Sequence, residues 1–204
     1  VDQAIPTHSY ALNQLWARIG KDAAIDNFAL NLGGRLARED IRVVLDAPGA
    51  HVALNGVFLG DGERLLDTAT IIRHAREHTT SDEKYRGVLA DKSVGVFQGR
   101  IEVRPDAQKI EGHQMTRGLL LSERAKAHFK PELEIFADDV KCSHGSTIGQ
   151  LDEAALFYLR SRGLPLAIAR RLLIDAFVEE GLDDVGDEAL RAWVGEAAAA
   201  WVRR

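Results

Sequence analysis

The sequence predicts a mainly β body followed by a small α-helical region, and three observations predict it. Short apolar-rich runs from Asp26 to Cys142 are separated by Gly33-Gly34, Pro48-Gly49, Gly60-Asp61-Gly62, Arg104-Pro105-Asp106 and Asp138-Asp139. Turn chemistry at that frequency leaves room for strands of about 4–8 residues and little else. Several runs alternate: Phe97, Gly99, Ile101 and Val103 are small or apolar, whereas Gln98, Arg100 and Glu102 are polar. Leu133 and Ile135 alternate likewise with Glu132 and Glu134, the period of a strand with one face in and one face out. After Gly149 the apolar spacing becomes helical.

The first segment, SYALNQLWARIG, reads either as a short amphipathic helix or as a strand and turn. From Asp26 the strand texture is clear in NFALNLGGRLA, DIRVVLDAPGAHVALNGVFLG, YRGVLADKSVGVFQGRIEV, QKIEGHQMTRGLLL and ELEIFADDVKC. Glu63 to His78 could form a helix and contains His74, Glu77 and His78, an H-x-x-E-H match. On a helix the two histidines would share a face and could hold zinc, as in a hydrolase. Against this, Thr68, Thr70, Ile71 and Ile72 are strand formers. Met115 and His113 share one face by strand parity, where packing or solvent exposure explains both.

Two architectures fit the β body. A hairpin sandwich would carry several Asn-Gly turns, and only Asn55-Gly56 qualifies. A β-solenoid stacks short strands coil on coil and leaves a weak signal unless its repeat is clean. No strict period is visible, so the residues alone favour the solenoid only slightly.

The helical region begins with Leu151, Ala155, Leu156 and Leu159, with Asp152 and Glu153 suiting the first turn and Arg160 and Arg162 the last. Gly163 is a stop signal. Pro165 suits the first turn of a second helix and Gly181 its end. Between them Leu166, Ala169, Leu173 and Phe177 make one stripe, joined by Leu172 and Ala176. A third helix runs from Asp187 as cap through Leu190, Trp193, Val194, Ala197 and Trp201. Helices this short must bury their faces on the β body or on a partner. The expected boundary lies between residues 1–148 and 149–204.

Composition narrows the function. The chain has 204 residues, 46% hydrophobic, with a net charge of −5. That charge argues against nucleic acid as the main partner, which needs a basic surface. No apolar run approaches the roughly 20 residues that span a bilayer. A lone cysteine, Cys142, suits a reducing compartment. No signal-peptide pattern is visible, and the chain opens at Val1 without a methionine, as expected of a processed, proteolysed or truncated product. No G-x-x-x-x-G-K-[ST] motif is present, so ATP hydrolysis is not expected of this chain.

The seam KCSHGSTIGQLDEAALFYLRSRG (Lys141 to Gly163) and the run PLAIARRLLIDAF (Pro165 to Phe177) resemble the SufB/SufD family of iron–sulfur cluster assembly proteins. YRGVLADKSVGVFQGRIEV from Tyr85 and QKIEGHQ from Gln108 fit the same family. SufB carries a cysteine at the position matching Met115, and reads differently over Lys141 to Thr147. The pattern here is that of the SufD branch; a SufB-type paralogue is the alternative. The resemblance implies a right-handed parallel β-helix followed by a small helical domain, and a chain that is a C-terminal fragment of a longer protein.

The resemblance also implies a non-catalytic scaffold. Its β-helix would pair with SufB or with a second SufD, and its C-terminal helices would dock the ATPase SufC. A transient iron–sulfur cluster, not stably bound, would form at the SufB interface, where His144 matches the SufD histidine facing a SufB cysteine. Cytoplasm or plastid stroma is the expected location. Arg170, Arg171 and Phe177 are candidates for contacts with a partner.

Cys142 and His144 are i and i+2, so on a strand they point to one side together with Val140. Thiolate and imidazole suit iron, zinc or copper. A pair falls short of the four ligands a cluster usually needs, as one half of a shared site should. Packing is the competing reading for Cys142, because Val140 in the same row marks a core face. A β-helix enzyme acting on polysaccharide would need paired carboxylates. Asp138-Asp139 is an adjacent acidic pair in the β body, and a turn explains it more simply.

Overall fold

The computed structural model describes residues 6–203. Ten strands alternate between two parallel sheets of five. One sheet holds β1 (Tyr10–Ile19), β3 (Leu36–Leu45), β5 (Leu65–His74), β7 (Val94–Val103) and β9 (Lys126–Ile135). The other holds β2 (Ala24–Asn31), β4 (His51–Gly60), β6 (Thr80–Leu89), β8 (Ile110–Leu120) and β10 (Val140–Gly149). Each strand pairs with the strand one coil away and not with its neighbour in sequence. This is a parallel β-solenoid. Asn55-Gly56 lies inside β4 and makes no hairpin.

The coil has a period that the sequence hides. Leu36 pairs with Leu65, and Leu65 with Val94, a step of 29 residues each time. The step is 26 from Tyr10 to Leu36 and 32 from Val94 to Lys126, because the corners differ in length. The corners stack as regularly as the strands. Asp22, Gly49, His78 and Lys109 all adopt positive φ in one corner column. Each donates its N–H to a carbonyl of the next coil: Asp22 to Pro48, Gly49 to His78, His78 to Gln108 and Lys109 to Asp139.

Period-two patterning decides which side chains enter the coil. On β7, Gly95, Phe97, Gly99, Ile101 and Val103 are buried between partly exposed or exposed neighbours, as their alternation predicts. The same alternation resolves Tyr10–Ile19 as a strand, with Ala11, Leu15 and Ala17 packed against the core. Glu63 to His78 contains strand β5, not a helix: the β-branched run Thr68 to Ile72 wins. Outside, charges stack from coil to coil, as in Arg73 with Glu102 and Lys141 with Glu111, both 2.9 Å. Exposed pairs of this kind contribute roughly 0–1 kcal/mol each. Burial of the inner rows therefore carries most of the stability.

Three helices follow: α1 (Glu153–Ser161), α2 (Leu166–Leu182) and α3 (Glu188–Val202). Asp152 caps α1 by accepting from the N–H groups of Ala154 and Ala155, and Asp187 caps α3 by accepting from Leu190. Gly163, at φ 91°, ends α1 in a Schellman turn, with its N–H on the Arg160 carbonyl and that of Leu164 on Leu159.

The helix α2 lies on β4 and β6. Its Ile174, Val178 and Leu182 pack with Val57, Leu59, Val88 and Leu119 of the outer sheet face, and α3 adds Val194, Ala198 and Trp201. Burying one such aliphatic side chain contributes roughly 1.5–3 kcal/mol. The inward stripe is rotated from the expected one: Leu166 and Leu172 are exposed, while Ile174 and Val178 are buried. Gly181 does not close the helix. It sits buried in the last turn, where a Cβ would come within 2.8 Å of Val57 Cγ2. Ion pairs from Lys84 to Asp184 and from Arg86 and Arg117 to Glu180 complete the contact. Among the described residues no helix is long and apolar enough to cross a membrane.

Candidate functional site at the open end of the coil

Strand β10 is the last strand of its sheet, and β9 is the last of the other. Register fixes where their side chains point. Cys142 aligns with Gly112 and His144 with Gln114, both buried inward positions of β8. Cys142, His144 and Val140 thus share the inward row, as their spacing predicts. In a middle coil this row would be covered by the next strand. Here no described strand stacks on it.

The two candidates differ in their surroundings. Cys142 and Val140 pack on a small apolar cluster of Ile101, Val103, Ala107 and Ile110. Cys142 is partly buried, and burial pushes its thiol pKa up against a lowering hydrogen bond from the Gly112 backbone. The thiol lies against its register partner: a Cβ at Gly112 would sit 3.4 Å from Sγ. The packing reading of Cys142 therefore has direct support. His144 is exposed at the rim of the same row.

On the outer face, Ser143 Oγ lies 2.8 Å from His113 Nδ1, which ties the residue between the two candidates to β8. Met115 is 45% exposed and reaches over Gly145, its register partner. His113 and Met115 share this outer face, as parity predicts, and point away from His144.

Behind His144 the inward row continues through Gln114 and Glu83, one per coil. Gln114 Nε2 donates to Glu83 Oε2 inside the protein. Burial raises the Glu83 carboxyl pKa to about 7, against lowering hydrogen bonds from Thr70 and Gln114. Glu39 is raised by burial as well, and Tyr85 is raised by burial together with Glu83 and Glu39. Sequence reasoning missed this polar interior because it assigned charged residues to the outside. The available signal was parity, since Glu83 shares the inward row of β6 with Ser81 and Tyr85.

The H-x-x-E-H segment does not form a metal pair. His74 ends β5 with Nδ1 2.7 Å from Thr79 Oγ1 and Nε2 3.0 Å from Ser81 Oγ, so both ring nitrogens are engaged. Burial lowers its pKa to about 4, and it stays neutral. His78 occupies the left-handed corner position and Glu77 is exposed beside it. Asp138 and Asp139 form the corner between β9 and β10, with Asp139 paired to Lys109 at 2.8 Å. Among the described residues no group of three or more His, Cys, Asp or Glu could hold a metal ion.

The tail candidates lie on α2 and not on the last coil. Arg170 borders a cleft with Leu121, Glu123, Gln150 and Glu153. Arg171 is exposed, with Asp175 3.8 Å away. Phe177 is partly buried under the guanidinium groups of Arg86 and Arg117, 5.4 and 5.7 Å from its ring centre.

Comparison with known proteins bears on what such an end is for. The family model for the SufBD core domain of SUF system FeS cluster assembly matches residues 3–177. The iron–sulfur cluster assembly protein SufD of Escherichia coli K12 is 34% identical over 188 residues, covering 92% of this chain and 44% of that protein. An iron–sulfur cluster assembly SufBD family protein of Synechocystis is 36% identical over 166 residues, 81% of this chain and 37% of its own. The chloroplastic protein ABCI7 of Arabidopsis thaliana is 36% identical over 163 residues, 79% of this chain and 34% of its own. The chain thus spans less than half the length of each of these relatives.

Proposed function

The chain belongs to the SufBD family of the SUF system for iron–sulfur cluster assembly and is SufD-like, and from that premise we propose that it is a non-catalytic scaffold subunit. One observation carries this reading. An exposed imidazole, His144, stands beside a half-buried thiol, Cys142, in the uncovered inward row of the last coil. One imidazole and one thiol cannot complete the ligand set of a cluster, which usually takes four. A second subunit that covers this end would supply the rest, and SufB is the partner proposed. The cluster is cargo: a site divided between two chains releases its product when they separate.

The thiol, raised by burial, is mostly protonated near neutral pH. His144 offers a ring nitrogen exposed at the rim, and Cys142 joins on losing its proton. The helices α1 to α3 present a second surface, proposed as the dock of the ATPase SufC, with Arg170, Arg171 and the Phe177 region as its candidate contacts. Pairing of two copies of this chain through the same open end is the alternative to SufB. A lone cysteine and relatives that include a chloroplastic protein support a reducing location, the cytoplasm or the plastid stroma.

The test is His144→Ala in the protein co-expressed with SufB and SufC. The complex is expected to assemble at its normal yield and melting temperature while cluster content falls by at least tenfold. Normal cluster content in that complex would remove His144 from the site. Removal of residues 150–204 is expected to abolish co-purification of SufC and to leave SufB bound.

A further inference from the structure

Three inward positions in register join the protein interior to the open end: Glu83 on β6, Gln114 on β8 and His144 on β10. We propose that Glu83 and Gln114 are positioning residues for His144, Glu83 fixing which end of the Gln114 amide faces the last coil and that end fixing which imidazole nitrogen carries the proton. The proposal rests on the reading of His144 as a ligand and deepens it.

Glu83 is 1% exposed and Gln114 is 2% exposed. Gln114 spends its Nε2 donor on Glu83 Oε2. Its other end, Oε1, is buried and has no hydrogen-bond partner among the described residues. The amide already reaches across the coil to the opposite sheet, where β7 leaves room for it at Gly99. Its Nε2 fills the space above Gly99, where a Cβ would fall 2.2 Å from it.

The next position along the row is His144, the register partner of Gln114, one strand spacing of about 4.8 Å further on. A buried acceptor left unpaired is costly, and a neutral imidazole has one N–H to give. When His144 donates that N–H to Gln114 Oε1, its other nitrogen keeps a lone pair and turns outward. A metal ligand needs an outward lone pair, and a partner held on the inner nitrogen is the usual device for fixing it.

The polarity of the row starts at Glu83. As a carboxylate it accepts from the amide NH2 and leaves the carbonyl facing His144. The groups facing Glu83 are Gln114 from β8, Thr70 from β5 and Tyr85 on its own strand, with Glu39 of β3 near Tyr85 as a further acidic group. None of these is a cation, so none competes with Gln114 to neutralise the carboxylate. Cys142 flanks His144 in the same row and is half-buried.

Nitrogen NMR of the full chain labelled with 15N-histidine, free of iron and of partner, tests the proposal near pH 8, where Glu83 is ionised. In the wild-type protein His144 is expected to show one neutral tautomer in roughly tenfold excess, the bias that one net hydrogen bond supplies. Gln114→Leu is expected to return the two forms to the ratio His144 shows in the urea-unfolded chain. Glu83→Gln is expected to do the same, because an amide can pair with Gln114 in either sense. The His74 resonances report whether the coil is intact. If Gln114→Leu disturbs them, the Glu83→Gln protein carries the same test. Gln114→Glu keeps an acceptor toward His144 and is expected to retain the bias.

A wild-type His144 already at the unfolded-chain ratio would overturn the proposal, as would a ratio unchanged in both neutralising variants. Because no cluster is involved, such a failure leaves the role of His144 in assembly standing. Normal cluster content in His144→Ala would instead remove that role and leave the row as described.

Discussion

Gly99 stands where the side chain of Gln114 lies: a Cβ on Gly99 would come within 2.2 Å of Gln114 Nε2 and 2.7 Å of Phe97 Cζ. Glycine is thus demanded by a close approach across the coil, not by a turn. Gly99→Ala is expected to cost about 1–3 kcal/mol, as overpacking in a full core does, and to part Gln114 from Glu83. Urea unfolding measures it. An unchanged midpoint would mean that the interior has room to spare.

Two buried groups give opposite pH dependences. The pKa of His74 falls to about 4 from 6.5 through burial, so the unfolded chain protonates first. Its contribution is present above pH 6.5 and is lost as pH falls toward 4, about 3 kcal/mol in full. The pKa of Glu83 rises to about 7 from 4.5 through burial. Its contribution is present below pH 4.5 and is lost as pH rises toward 7, again about 3 kcal/mol. Between these limits the slopes oppose, and the wild-type melting temperature is expected to change little. Glu83→Gln removes one slope and should leave a melting temperature that climbs with pH over the same range. Identical curves for the two proteins would contradict the burial of a titrating Glu83.

At the helical end, Gly181→Ala separates two effects of known sign. In a free helix the change stabilises by about 1 kcal/mol. Here a Cβ would meet Val57 Cγ2 at 2.8 Å and Arg86 Cδ at 3.0 Å. A net loss of about 1–2 kcal/mol is expected, with faster amide hydrogen exchange in α2 and α3. A stabilised protein would mean that α2 does not sit this close to the sheet.

The thiol of Cys142 offers a direct reading of its surroundings. Burial raises its pKa and the neighbouring coil shields it. Alkylation at pH 8 is expected to be several-fold slower in the folded protein than in urea. If SufB covers the open end, as proposed, its binding slows alkylation further. Equal rates in the free protein and the complex would argue that the partner covers another surface.

Much of this fold was legible in the chain. Alternation from Phe97 to Val103 reports the inward row of β7, and Asp152, Gly163 and Asp187 mark helix ends by their capping chemistry. The repeat was not legible, because unequal corners shift it from 26 to 32 residues and because the inner rows change chemistry from coil to coil. One such row runs Ile41, Thr70, Gly99, Pro131. Of the candidate site, Cys142 and His144 are proposed from spacing and resemblance. Their neighbours in the row are out of reach of that reasoning, since Gln114 and Glu83 sit 30 and 61 positions before His144 and share its row only through register. The histidines of Glu63 to His78 misled for a related reason: one seals the inside of a coil and the other turns its corner.

The equal step from Leu36 to Leu65 to Val94 also limits how this molecule can change in length. Excision of one whole 29-residue repeat would leave every remaining strand in phase with a new neighbour. Excision of a single residue within a strand would invert the facing of everything after it up to the next bend. Growth and loss in such a chain are therefore quantised: whole storeys can come and go, stray residues are absorbed at the bends, and the straight walls tolerate neither.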